Sequence, residues 1–566
     1  MGRIIGEVRS KTCRRNPKVK TDFRVRVFSR EAKTIGPGKL PQAIFERMMR
    51  GLLVFGWLGV LIAGAQVGEP RTPDRQVPPP AWGTSARIER IRALLPQLDA
   101  LYEAHAASNH IPGHVWGLVV DGRLLHLRAS GLARVEPAQG VAPDTRFRIA
   151  SMSKSLTAAA ILQLRDQGKL SLEDPVSKHL PEFRTVRPAT PDSPPLTLRH
   201  LLRMSGGFPQ DDPWGDRKLS EPDTQLDALV ARGLTPASPT GTRWEYSNLG
   251  YAVLGRVVTR VAKEPYQAYI TRRILKPLGM THSVYEWDKV PADRLALGYR
   301  WEDERWKPEP MLHDGSWGAM GGLITTLEDF ARYAAFHLDA WPPREGAETG
   351  PLRRSTLREM HRPWEVISVL QDLQDDEGHA VARVAGYSAG LGWNQDQRGV
   401  IWVRHAGGLP GFGSEFRFLP DHGIALIAFA NRTYAPMSAA NHKAMALLIN
   451  EAKIPARPPE GHPTLFRRAE ELATLLTRDW TPEALHAALA PNVFLDHSLE
   501  TWRRETRALL DQIGPIRDRE PLVPENRLRG RFRLLGERQN LEVFLTLTPE
   551  ATPRIQEIKL TLQANP

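Results

Sequence analysis

The chain has 566 residues, 41% hydrophobic and 25% charged, a balance that suits folded globular domains and excludes a disordered or collagen-like protein. Its formal net charge is +12, but residues 1–47 hold 13 Lys and Arg against 4 Asp and Glu and so supply +9 of it; the remainder is nearly balanced, which removes the case for a nucleic-acid binder. The one cysteine, Cys13, lies in that same segment, so the chain beyond it can build neither a disulfide nor a thiolate site.

Residues 1–47 carry no periodicity and look like no leader; they are read as a non-native upstream extension, with translation expected to begin at Met48 or Met49. Residues 48–65 combine a basic start, an apolar run and the small-residue site Ala63-Gly-Ala65, the layout of a secretory signal peptide cleaved after Ala65. The apolar run from Gly51 to Ala65 is 15 residues, short of the roughly 20 that cross a bilayer as a helix. No stable membrane span is therefore expected after cleavage, with an uncleaved N-terminal anchor as the alternative. The expected location is periplasmic or extracellular. Residues 66–85, rich in Pro and polar side chains, read as a linker.

A helix is expected from Ala86 to about Ala106, followed by two apolar runs flanking Asp121-Gly122, a strong hairpin signal. The run Phe147-Arg-Ile-Ala-Ser151-Met-Ser-Lys154 reads as a short extended piece turning into a helix, because Leu156, Ala160, Ile161 and Leu164 then recur at helical spacing. The middle of the chain is helical, including stretches 198–207 and 327–337. Beyond about residue 385 the period switches to strands, at Ala389–Trp393, Val400–His405, Glu415–Leu419 and Ile424–Ala430, closed by a helix from Pro436 to Ala452. These elements predict one α+β domain over residues 86–453: an antiparallel sheet, built from the first hairpin and the late strands, flanked by helices and interrupted by a helical insertion. A Pro-rich linker, 454–463, precedes a small C-terminal α+β domain over 464–566. It has helices at Leu465–Leu476, Pro482–Ala490 and Leu499–Ile513 and three strand-like runs at Leu528–Leu535, Leu541–Leu547 and Arg554–Leu562.

Chemistry enters at Ser151 and Lys154. At i and i+3 they share one helical face, a candidate nucleophile beside a candidate base, and a helix start offers free N–H groups to a growing anion. Gly386-Tyr-Ser388-Ala-Gly390 also satisfies the Gly-x-Ser-x-Gly pattern, but the chain after it continues as strand, turn and strand rather than as the helix that pattern requires. His105, His110 and His114 lack a companion carboxylate in any metal spacing and are read as solvated loop residues.

Two further stretches accompany Ser151 and Lys154: Trp244-Glu-Tyr246-Ser-Asn248 and Arg404-His405-Ala-Gly407-Gly408. With these three motifs in order, residues 90–450 resemble the class C β-lactamase-like serine hydrolases, the penicillin-recognising fold that also hosts esterases, D-amino-acid peptidases and amidases. The resemblance implies Tyr246 as a proton shuttle, and the backbone N–H groups of Ser151 and Gly408 as the oxyanion site on the strand of His405 and Gly407. Either Lys154 or Tyr246 serves as the base. Asn248 would orient Lys154 and the substrate's own amide or ester. No cofactor and no metal are implied.

The sequence departs from the resemblance at one place. Relatives that act on penicillins usually carry lysine and then a hydroxyl residue where His405 and Ala406 stand. A mostly neutral imidazole and an alanine capture an anion poorly, so the expected activity is that of a secreted serine hydrolase on small ester or amide substrates. A β-lactamase or D-amino-acid peptidase is the alternative within the fold, and a non-catalytic binding or regulatory protein the alternative outside enzymes.

Overall fold

Side-chain alternation explains the central sheet. In the strand Ile424–Ala430 every residue is buried. Leu426, Ala428 and Ala430 enter one core, whereas Ala425, Ile427 and Phe429 enter another on the opposite face. A strand covered on both sides reads as the unbroken apolar run seen in the sequence. The structure, a computed structural model, describes residues 85–212, 214–374, 380–478, 481–495 and 497–565. The expected upstream extension and signal peptide, and all of the first linker but Ser85, lie outside those residues.

The sheet has nine antiparallel strands: β1 Gly113–Val120, β2 Arg123–Arg134, β3 Gln139–Gly140, β4 Glu365–Gln374, β5 Ala380–Tyr387, β6 Gly392–Asp396, β7 Ile401–Leu409, β8 Phe412–Leu419 and β9 Ile424–Ala430. Their order is β3-β2-β1-β9-β8-β7-β6-β5-β4, so the first hairpin joins the late strands through β1 and β9, with His114 opposite Ala430. Asp121 and Gly122 both have positive φ, 49° and 76°, the twist that a two-residue hairpin turn requires.

Helices α1 (Ser85–Ser108), α2 (Ser153–Asp166), α3 (Asn248–Ala262), α4 (Leu327–Leu338) and α5 (Met437–Asn450) divide between the two faces. On one side α1 and α5 cover Trp116, and the Tyr102 hydroxyl donates to Asn441 across the helix pair at 2.5 Å. On the other, α4 inserts Phe330 between Phe416 and Phe429, with ring centroids 5.0 and 5.9 Å away, and the helical insertion carrying α2 and α3 packs behind it. Each fully buried side chain of this size contributes about 1.5–3 kcal/mol.

Two expectations are corrected here. Ser388–Leu391 is a turn, with the Ser388 N–H donating to the Leu391 carbonyl at 2.8 Å, and the strand expected at Ala389–Trp393 begins only at Gly392. The hairpin of β4 and β5 was not expected at all. It forms the sheet edge, where Val366 and Val369 are 63% and 58% exposed, so its apolar residues do not mark a buried face.

Residues 463–563 form helices α6 (Pro463–Thr477), α7 (Pro482–Ala488) and α8 (Leu499–Ile513) with a core of their own. The sheet beside them has five strands rather than three, because Ile516–Arg519 and Val523–Asn526, four residues each and largely exposed, are too short and too polar to show in the pattern. Among the described residues no helix is long and apolar enough to cross a membrane.

Candidate active site

Ser151 sits in a bend that its surroundings force. Phe147 and Arg148 pair with Ile324 and Thr325, and the chain then turns through Ala150, whose φ of +50° is left-handed. An L-residue in that region costs about 1–3 kcal/mol and persists only where neighbours over-determine it. They do so here. Ser153 Oγ donates to the Ala150 carbonyl at 2.7 Å, Ser414 Oγ donates to the Ile149 carbonyl at 2.7 Å, and Arg148 donates to the Leu312 carbonyl at 2.7 Å. Strand β7 also presses on the bend. A Cβ on Gly407 would stand 2.3 Å from the Ile149 oxygen, so only glycine lets that strand approach. The product is a one-turn 3-10 segment, Ala150–Met152, that runs into α2 with Ser151 only 5% exposed.

Lys154 is wholly buried, one turn below Ser151. Its Nζ donates to Ser151 Oγ at 2.9 Å, to Asn248 Oδ1 at 2.7 Å and to the Met320 carbonyl at 2.9 Å. Burial lowers its pKa to about 8 against the opposing pull of Asp216, Asp212 and Asp211, so a neutral amine is accessible near physiological pH.

Tyr246 and Asn248 are placed by the start of α3. Ser247 caps that helix by accepting from the Gly250 N–H at 3.2 Å, and the Asp211 carboxylate accepts the N–H groups of Asn248 and Leu249, both at 2.7 Å. The Tyr246 ring lies 4.9 Å from Lys154 Nζ. Burial holds its phenol well above 10, the charges of Asp212 and Asp216 push the same way, and a hydrogen bond with Ser151 opposes them. Asn248 turns its carbonyl oxygen to Lys154, and its NH2 group donates to Asp212 at 2.5 Å and to Asp216 at 3.2 Å. That NH2 was expected to face substrate; two carboxylates hold it instead.

His405 lies on β7, 6% exposed. Its Nδ1 donates to the Ala406 carbonyl at 2.6 Å, which leaves Nε2 to accept from the Tyr387 hydroxyl at 3.2 Å. Burial, then the charge of Lys154, lowers its pKa to about 3. It is a neutral imidazole with both nitrogens engaged. Gly408 follows under the Tyr434 ring, 2.6 Å from where a Cβ would stand, and the Tyr434 hydroxyl donates to Asp216 at 2.8 Å.

Ser151, Tyr246, His405, Gly407 and Gly408 thus line one cleft of about 480 Å³, with Lys154 and Asn248 directly beneath Ser151. Sequence reasoning missed Asp211, Asp212, Asp216, the Met320 carbonyl and Tyr434. Only the acidic pair Asp211-Asp212, a few residues beyond Ser205-Gly-Gly207, offered a signal. Ser388 is fully buried, and its hydroxyl donates to the Glu359 carbonyl at 3.3 Å. The reading of three histidines as solvated loop residues holds for His110, exposed in the turn after α1 with its ring stacked on Trp301 at 4.3 Å, and is corrected for the other two: His105 belongs to α1 and His114 is buried in β1. Among the described residues, Glu286, Asp288 and His313 alone converge as metal-type ligands; they lie on the surface, with His313 paired to Glu286 at 2.9 Å.

A family model described as Beta-lactamase matches residues 98–450. The chain is 30% identical over 346 residues to Protein flp of Staphylococcus aureus (strain NCTC 8325 / PS 47), covering 60% of this chain and 64% of that protein. It is 29% identical over 341 residues to Beta-lactamase-like protein 2 of Dictyostelium discoideum, 58% of each chain. It therefore spans less than two thirds of the length of these curated relatives. Among solved structures, the octameric penicillin-binding protein homologue from Pyrococcus abyssi has a similar fold, with a TM-score of 0.55 at 20% identity over 83% of this chain and 98% of that one.

Proposed function

Because the chain belongs to the beta-lactamase family, we propose that it is a serine hydrolase that forms an acyl-enzyme on Ser151 and acts on small ester or amide substrates. The observation that carries this reading is the 2.9 Å contact between Ser151 Oγ and the Nζ of a buried lysine whose pKa burial brings to about 8. In the proposed reaction neutral Lys154 takes the hydroxyl proton as Ser151 attacks the carbonyl carbon. The oxyanion that forms is met by the N–H groups of Ser151 and Gly408. Lys154 is the better base of the two candidates, since its surroundings favour the form that accepts a proton, whereas those of Tyr246 disfavour the phenolate. Tyr246, protonated and beside Ser151 on the cleft, relays a proton to the departing alcohol or amine. Water then hydrolyses the ester on Ser151 by the same route in reverse. A hydrolysis screen across p-nitrophenyl esters, D-amino-acid amides and a chromogenic cephalosporin tests the assignment; turnover of none of them contradicts it.

Neutral esters and amides are favoured over β-lactams and peptide C-termini because His405 brings no charge and Ala406 no hydroxyl to a substrate carboxylate. A charge-assisted hydrogen bond contributes about 1.5–3 kcal/mol. The double variant His405→Lys, Ala406→Thr is therefore expected to raise kcat/KM for a cephalosporin relative to a neutral ester by roughly ten- to a hundredfold. Cephalosporin hydrolysis by the unaltered enzyme at the rate of its best ester would remove the argument.

Export to the periplasm or beyond is proposed on residues 48–65 alone. N-terminal sequencing of the mature protein is expected to begin at Gln66; a start within the first 47 residues contradicts it.

A further inference from the structure

The cleft takes its identity from Ser151, and the open question about it is the charge it selects. Cations that could meet an anionic substrate are already engaged. The three hydrogens of Lys154 go to Ser151, Asn248 and Met320, and Arg404 on the cleft wall faces Glu415 at 3.5 Å. His405 is neutral and bonded through both nitrogens. The amide of Asn248, beneath Ser151, is turned away from a substrate carbonyl by two carboxylates, which leaves Asn394 as the side-chain amide on the cleft lining. The orientation of Asn248 is unambiguous, because the lysine ammonium requires the oxygen and the aspartates require the nitrogen.

What the cleft presents in place of that donor is acidic and aromatic. Asp212 and Asp216 both line it, Asp212 with an exposed side chain, and so do the rings of Trp244, Tyr246, Tyr387 and Tyr434. Carboxylates among aromatic faces, in a partly desolvated cavity, are the surroundings that bind an ammonium group. Asp212 also disturbs its neighbour Asp216. Burial first and the neighbouring charge of Asp212 second raise the Asp216 pKa to about 6, a strain that a bound cation would relieve.

We propose that this cleft selects substrates that carry a cationic amine or quaternary ammonium group near the scissile carbonyl, with Asp212 as the residue that sets the preference and Asp216 and the ring of Tyr434 beside it. The inference rests on the reading of the cleft as the substrate site of a serine hydrolase, and it reverses the charge sense expected of a cleft that captures a substrate carboxylate.

The test uses two pairs of isosteres that differ only in replacing a quaternary nitrogen by carbon. One pair places the cation in the acyl group, as the p-nitrophenyl esters of 4-trimethylammoniobutyrate and 5,5-dimethylhexanoate. The other places it in the alcohol, as butyrylcholine and 3,3-dimethylbutyl butyrate. Equilibrium binding to the full chain bearing Ser151→Ala separates this question from turnover, so that an absence of catalysis in the native enzyme does not bear on it. At low salt the cationic member of at least one pair is expected to bind at least about tenfold more tightly. Adding Asp212→Asn is expected to bring that ratio within about twofold of unity, and 0.5 M salt to reduce it. A circular-dichroism spectrum matching the parent confirms that the variant is folded, and Asp212→Glu, which keeps the charge, is expected to retain most of the preference. Ratios near unity in both pairs overturn the proposal, as does a preference that survives Asp212→Asn.

Discussion

Ser151→Ala is expected to abolish turnover of every ester and amide the enzyme accepts, while Ser388→Ala retains nearly all of it. The two serines differ in what surrounds them. Ser151 stands at a forced bend, on a cleft wall, 2.9 Å from a lysine amine. Ser388 is enclosed, and its hydroxyl is bonded to a main-chain carbonyl at 3.3 Å. Removing a nucleophile removes the covalent route entirely, whereas removing a buried hydroxyl that makes one hydrogen bond costs about 0.5–1.5 kcal/mol of stability. Initial rates measured on both purified variants decide the matter. A dead Ser388→Ala enzyme beside an active Ser151→Ala enzyme would contradict the assignment of the nucleophile.

Lys154→Ala is expected to lower the acylation rate by at least about a hundredfold, the lower end for general acid–base catalysis. It also strips Asn248 Oδ1 and the Met320 carbonyl of their donor. A buried polar group left unpaired costs about 1–3 kcal/mol, so a fall in Tm is expected alongside the loss of rate. Tyr246→Phe, which keeps the ring and removes only the hydroxyl, is expected to show a similar rate loss with little change in Tm. Near-normal burst kinetics in either variant would remove that residue from the reaction. The pH profile separates the roles. A base must be unprotonated to act, so kcat/KM is expected to climb with pH and level off above about 8, the value to which burial brings Lys154. Asp216 holds that pKa up, so Asp216→Asn is expected to move the limb to lower pH; an unmoved limb would show that Lys154 does not govern it.

What the sequence reveals and what it hides follow from the range of each interaction. Ser151 and Lys154 are legible because helical geometry fixes their relation within a single turn. The hairpin at Asp121-Gly122 and the buried run Ile424–Ala430 are legible because local propensity and burial agree there. The surroundings of Asn248 are not legible. They join residues on separate loops, Asp212 and Asp216 on one and Tyr434 far along the chain beyond β9, and no spacing rule connects them. His405 shows the same limit. Its residue type could suggest a neutral ring, but the Tyr387 hydroxyl that engages its Nε2 comes from another strand of the sheet. The edge hairpin β4–β5 was hidden for the opposite reason: Val366 and Val369 of its outer strand are exposed, so alternation there carried no information about a core.

The central claim is that one serine, at the start of α2, is the site of covalent chemistry. A fluorophosphonate probe that reacts only with an activated serine, followed by proteolysis and mass spectrometry of the labelled peptide, tests it directly. One equivalent of adduct is predicted, carried by the peptide that contains Ser151 and lost in the Ser151→Ala protein. An adduct on the peptide that contains Ser388, or a folded native protein that leaves the probe unreacted, would contradict the account.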